Sequence, residues 1–159
     1  MRKRLVAEFE MFVFYYQIIV YDGMKTTRFN GWTDAHVKQG FSWREGCVSF
    51  GTLDTLPMSI EVWIDNEVRL RPDCSRAIRV PFVVAKRVQP RVAVVTEERP
   101  VAVPLGKYAL VFQHGPEAQG DRMWCVFTFV WNGDPSPAVL IRDAELFPPS
   151  PLLMTAEPV

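Results

Sequence analysis

The sequence predicts an all-β protein: a single β-sandwich domain spanning residues 1–159, with about eight strands and one short helix in a connection. Three observations carry this. Short runs dense in Val, Ile, Phe and Trp recur between Gly, Pro and Asp, as strands recur between turns. Several of the runs alternate apolar and polar side chains, so one face of each meets a core. Only one stretch has capping residues at helical spacing. With 159 residues, 48% of them hydrophobic, the chain can bury about two thirds of its unfolded surface.

Met1-Arg2-Lys3-Arg4 followed by apolar residues has the outline of a signal peptide, but Glu8 and Glu10 interrupt the run and no small-residue cleavage site follows. Residues 9–21, apolar apart from Glu10 and Gln17, are shorter than the roughly 20 residues a membrane helix needs and read as one buried strand. Thr33 or Asp34 is placed to cap the one helix, of about two turns, because its side-chain oxygen accepts a free first-turn N–H. Gly40 suits the left-handed position that ends it.

Residues 59–65 alternate with Ile60, Val62 and Ile64 inward, and residues 77–84 repeat the scheme with Ile78, Val80, Phe82 and Val84. Pro81 has no N–H to donate, which assigns that second strand to an edge or a bulge. Residues 68–76 fit either a hairpin return or a long polar loop. Residues 92–95 read as an edge strand that could pair across a homodimer, unless Glu97, Glu98 and Pro100 protect it.

After the turn at Pro104-Leu105-Gly106, residues 107–114 place Tyr108, Leu110 and Phe112 on one face. Residues 123–131 are apolar on both faces except Thr128 and read as a central strand covered on both sides. Asn132-Gly133-Asp134-Pro135 is a turn, and residues 138–141 make one more short strand. The Pro-rich segment 147–159 opposes regular pairing at first, while residues 152–154 suit a final strand.

The formal net charge is zero, with 18 Lys plus Arg against 18 Asp plus Glu. This disfavours a sequence-independent grip on nucleic acid, which draws on several cationic contacts to phosphate. Arg69, Arg71, Arg76 and Arg79 form the densest basic region and have two readings: pairing with acids such as Asp143 and Glu145, or facing an anion. Cys47, Cys74 and Cys125 are odd in number and widely spaced, so neither a disulfide framework nor a zinc cluster is indicated, and a reducing cytoplasm fits. His36 and His114 have no metal spacing, and no nucleophile elbow, P-loop or dinucleotide fingerprint is present. The sequence thus assigns no catalytic residue, no metal ligand and no cofactor.

The densest unusual stretch is residues 32–50, where Trp32, Phe41 and Trp43 lie beside charged residues in a connection. Trp and Arg dominate binding hot spots, and loops held by a rigid scaffold carry much of protein function. At this stretch the chain resembles the competence protein J family. The similar residues are Tyr16-Gln17-Ile18-Ile19-Val20-Tyr21-Asp22, Trp32-Thr33-Asp34, Gln39-Gly40-Phe41 and Gly46-Cys47-Val48-Ser49-Phe50. They continue in Val80-Pro81-Phe82-Val83-Val84 and Leu105-Gly106-Lys107-Tyr108-Ala109-Leu110, so the ordered set spans roughly residues 13–112.

The resemblance implies a small cytoplasmic β-sandwich that binds and blocks a metal-dependent, nonspecific DNA nuclease, either a competence nuclease or a toxin domain. The chain departs from the family pattern in extra residues over 23–31 and in its Pro-rich end. No interface residues transfer with the resemblance. Trp32, Asp34, Trp43, Glu45 and Asp54 are the partner-binding candidates from composition and placement, because a DNA-binding cleft is cationic and its blocker needs carboxylates beside aromatic anchors.

Two other readings stand beside this one. A module that binds a small molecule or glycan requires Trp32, Trp43 and Trp63 to share one concave pocket. A hydrolase requires His36 or His114 beside a carboxylate.

Overall fold

The computed structural model describes residues 3–24, 28–55, 57–85, 88–119 and 121–159. These form eleven strands and one helix: β1 (Arg4–Phe12), β2 (Gln17–Tyr21), α1 (Asp34–Gln39), β3 (Phe41–Arg44), β4 (Cys47–Gly51), β5 (Pro57–Asp65), β6 (Arg76–Val84), β7 (Arg91–Ala93), β8 (Glu98–Pro100), β9 (Gly106–Pro116), β10 (Met123–Trp131) and β11 (Ala138–Ile141). One sheet has the order β1-β5-β10-β9-β6-β11 and the other β3-β4-β2-β7-β8. All pairs are antiparallel except β5 with β10. This is the expected β-sandwich, with eleven strands among the described residues where about eight were anticipated.

Alternation puts the predicted inward residues in the core. Ile60, Val62, Ile64, Ile78, Val80, Phe82, Leu110 and Phe112 face Ile18, Val20, Val48, Phe50 and Val92 of the other sheet. Phe50 stacks on Phe112 across the sandwich with ring centroids 4.6 Å apart, and Phe112 meets Phe127 at 5.4 Å. Burying aromatic rings of this size supplies the largest single contributions to such a core. β10 is central, as its two apolar faces require. Its outer face is covered in part by the polar 66–75 loop, which lays Arg71 over the Trp124 ring at 4.0 Å and exchanges hydrogen bonds with Gln113. Residues 68–76 are therefore loop up to the start of β6 at Arg76.

Three expectations are corrected. Residues 9–21 are not one strand: the chain reverses at Tyr15 and Tyr16, so β1 and β2 lie in different sheets. Residues 92–95 are not an exposed edge, because β7 is flanked by β2 and β8; the edge falls to Glu98, Arg99 and Pro100, and the strand proposed for dimer pairing is already paired. Residues 152–154 form no strand. The backbone N–H of Leu153 donates to Gln39 Oε1 at 2.8 Å and its carbonyl accepts from Gln39 Nε2 at 2.9 Å, so one side-chain amide stands in for a neighbouring strand.

Pro81 sits where its missing N–H is harmless, since β11 pairs with β6 only as far as Arg79. Among the described residues no helix is long and apolar enough to cross a membrane.

Candidate partner-binding site

The turn between β1 and β2 is built unusually. Tyr15 and Tyr16 have φ of 57° and 55°, the type I′ pattern that Asn and Gly ordinarily occupy. The Tyr16 carbonyl is tied to the Thr52 N–H at 2.9 Å, and Val13 and Ile18 on either side are fully buried. The tyrosines themselves are 74% and 56% exposed. Phe12 and Phe14 stand beside them, also exposed, with ring centroids 4.5 Å apart. Four aromatic side chains within five residues thus face solvent on a fixed turn.

Next to this turn lies a cleft of about 530 Å³ whose walls include Tyr15, Tyr16, Trp32 and Val37 and whose polar lining includes Arg76 and Glu145. α1 forms one side. Thr33, at φ −99°, caps it, its N–H donating to His36 Nδ1 at 2.9 Å, and Gly40 at φ 86° ends it with its N–H on the His36 carbonyl. Val37 is 60% exposed, an apolar side chain left on the rim. Gly51 lets Trp32 and Arg76 approach: a Cβ there would lie 3.3 Å from Arg76 Nη1 and 3.6 Å from Trp32 Cη2.

Arg76 is buried and its charge is consumed. Nε and Nη2 hold Asp143 at 2.6 and 3.1 Å, Nη1 donates to the Gly51 carbonyl at 2.9 Å, and Glu145 lies 3.5 Å from Nη2. Burial pushes the Asp143 carboxyl up, but the Arg76 hydrogen bonds outweigh this and hold it below the usual carboxylate range. Glu145, by contrast, is 72% exposed. Asp34 is exposed and precedes Val37 by three residues, which puts both on one helix face. Lys38, also exposed, stands four residues after Asp34 and so lies beside it one turn along the same face. Asp34 and Lys38 therefore offset one another, and the accessible charge among the residues that line the cleft is the Glu145 carboxylate.

The five candidate residues do not form one patch. Trp32 lines the cleft with Asp34 on the same side, and Asp54 sits in the loop after Thr52, another lining residue. Trp43 and Glu45 line a separate groove of about 430 Å³ with Asp22 and Val83. The two lie at opposite ends of the paired β2 and β4, the Gln17/Gly51 end and the Tyr21/Cys47 end, about 13 Å apart at roughly 3.3 Å per residue. Trp63 lines a third depression, where its Nε1 donates to Glu61 at 2.7 Å. The three tryptophans share no pocket, so the observation that the small-molecule reading required is not met. Tyr15 and Tyr16 were missed as site residues because a Tyr-Tyr pair carries no turn signal.

Both histidines are engaged through both ring nitrogens. His36 Nε2 reaches the Thr155 carbonyl at 2.8 Å. His114 accepts from the Leu53 N–H at 2.9 Å through Nε2 and donates to the Trp124 carbonyl at 2.9 Å through Nδ1. Burial lowers the His114 pKa to about 4, so the ring is neutral. Each ring thus bonds backbone groups, the pattern of structural histidines. Among the described residues no group of His, Cys, Asp and Glu could hold a metal ion.

The arginine-rich region is neutralised: Arg69 pairs with Asp65 and Glu67, Arg71 with Glu61 and Asp73, Arg76 with Asp143 and Glu145, and Arg79 with Asp134. Of its two readings, ion pairing is the one the structure bears out.

Fold and site together define a β-sandwich that presents an exposed aromatic turn beside a cleft whose accessible charge is the Glu145 carboxylate. The chain belongs to the competence protein J (ComJ) family, whose family model matches residues 10–130. Among solved structures it is similar to ComJ from Bacillus subtilis, described as an inhibitor of the DNA-degrading activity of NucA. The identity is 19% and the TM-score 0.73, over 82% of this chain and 99% of that one. It is also similar to the protein of crocagin biosynthetic gene J, at 11% identity and a TM-score of 0.57, over 84% of this chain and all of that one. At these identities the likenesses show the fold. No curated protein matches the chain.

Proposed function

We propose that this protein is a non-enzymatic inhibitor of a metal-dependent DNA nuclease, acting in the cytoplasm by covering the nuclease's DNA-binding cleft. The observation that carries the reading is membership of the competence protein J family, together with the described role of the B. subtilis homologue. The surface supports it physically. A nuclease holds DNA through Lys and Arg, and the turn and cleft offer that cationic surface aromatic faces and the exposed carboxylate of Glu145.

The test is a DNA-cleavage assay with added protein. It uses two nucleases, purified NucA and any DNA nuclease recovered on the tagged chain from its own host. Stoichiometric loss of cleavage is the expected result. Unchanged cleavage by both at a tenfold molar excess of the protein overturns the reading.

A further inference from the structure

We infer that Tyr15 and Tyr16 are the anchor that seats this protein on the cationic DNA-binding face of its nuclease; this rests on the inhibitor reading above. The first reason is conformational. Both residues occupy the left-handed region at φ 57° and 55°, which costs an L-residue with a Cβ free energy that Asn-Gly largely avoids. A turn that needed only to reverse the chain would be better served by those residues.

The second reason is presentation. The Tyr16 carbonyl bond to Thr52 and the fully buried Val13 and Ile18 fix the backbone, so the exposed rings are presented at a set place with only side-chain freedom left to lose on binding. Tyrosine suits such a role because it offers a large amphipathic contact with only two side-chain torsions.

The third reason selects the partner. Aromatic faces carry negative potential, and the accessible charge among the cleft residues beside them is the Glu145 carboxylate. A surface of Lys and Arg complements this. A second copy of this chain complements it less well, because it would present the same aromatic faces and the same Glu145 carboxylate.

The experiment replaces Tyr15-Tyr16 with Asn-Gly and, separately, with Phe-Phe, and uses the nuclease that the wild-type protein inhibits in the assay above. The Asn-Gly variant is expected to melt at least about 2–4 °C higher, the shift that relief of roughly 1 kcal/mol gives in a domain of this size, and to inhibit at least about tenfold more weakly. The Phe-Phe variant keeps the rings and is expected to inhibit within a few-fold of wild type. Undiminished inhibition by a folded Asn-Gly variant overturns the anchor while leaving the inhibitor reading intact. A lowered melting temperature overturns the strain argument. Dimerisation of the wild type in light scattering that the Asn-Gly change abolishes assigns the turn to self-association instead. A wild-type protein that inhibits neither nuclease overturns both readings together.

Discussion

The indole Nε1 of Trp43 donates to the carbonyl of Pro81 at 2.9 Å, joining β3, an edge of the five-stranded sheet, to β6 of the six-stranded sheet. β11 leaves β6 after Arg79, so beyond that point the strand has no backbone partner on that side. Pro81 has no N–H to offer an incoming strand, and Trp43 occupies its carbonyl. Together they close an edge that would otherwise invite pairing.

Trp43→Phe keeps most of the ring and removes the donor. Stability is expected to fall by about 1–2 kcal/mol, the cost of leaving one partly buried acceptor unpaired. Urea unfolding measures this as a lower midpoint at constant m-value. An unchanged midpoint would show that the bond contributes nothing.

Arg76→Met leaves Asp143 poorly solvated and without its bidentate partner, and breaks the bond to the Gly51 carbonyl. A loss of about 3–5 kcal/mol is expected, as for other broken buried pairs. Replacing both partners, Arg76→Met with Asp143→Leu, should recover a large part of it. A double variant no more stable than the single one would locate the loss at the Gly51 carbonyl rather than at the carboxylate.

Acidification tests His114. Its folded pKa, about 4, lies below the ordinary value of 6.5. The unfolded chain therefore takes up the proton first, and stability present above pH 6.5 is lost as pH falls toward 4, by about 3 kcal/mol in all. The carboxyls of Asp65 and Asp143 are held below their usual range, so their contribution is lost only at lower pH and does not mask this slope. Denaturant midpoints taken between pH 7 and 4.5 check it, and a flat profile over that interval would exclude the assignment.

Gln39→Ala removes the side-chain amide that holds Leu153. Amide exchange at Leu153 is expected to accelerate at least tenfold, with the core of β9 and β10 unaffected. Retained protection would mean that the tail is held by its packing alone.

Most strands were legible in the sequence because a period of two is visible without knowing the neighbours: 59–65, 77–84, 107–114 and 123–131 appear with their inward faces as read. The helix was legible because Thr33 and Gly40 mark its ends. The reversal at Tyr15-Tyr16 was not, since nothing in the local chemistry announces a turn when tertiary packing forces tyrosine into a conformation glycine would choose. The fate of 92–95 depended on β8 folding back over β7, which no local pattern encodes. Of the site candidates, Trp32 and Trp43 are eleven residues apart in sequence yet face different grooves, because Trp32 stays at the Gln17/Gly51 end, before α1, while β3 carries Trp43 toward the Tyr21/Cys47 end.

The parallel pairing of β5 with β10 sets the order in which the protein can be made. Fifty-eight positions separate Asp65 from Met123, so β5 leaves the ribosome long before its inner neighbour exists. The β1–β5 pair can form early, but it waits with one side of β5 bare until residue 131 has emerged and the central strand can slot in. Such distant closure slows folding and leaves a nascent chain open to wrong partners. A product terminated before β10 would lack the one strand that joins β1 and β5 to the rest of their sheet.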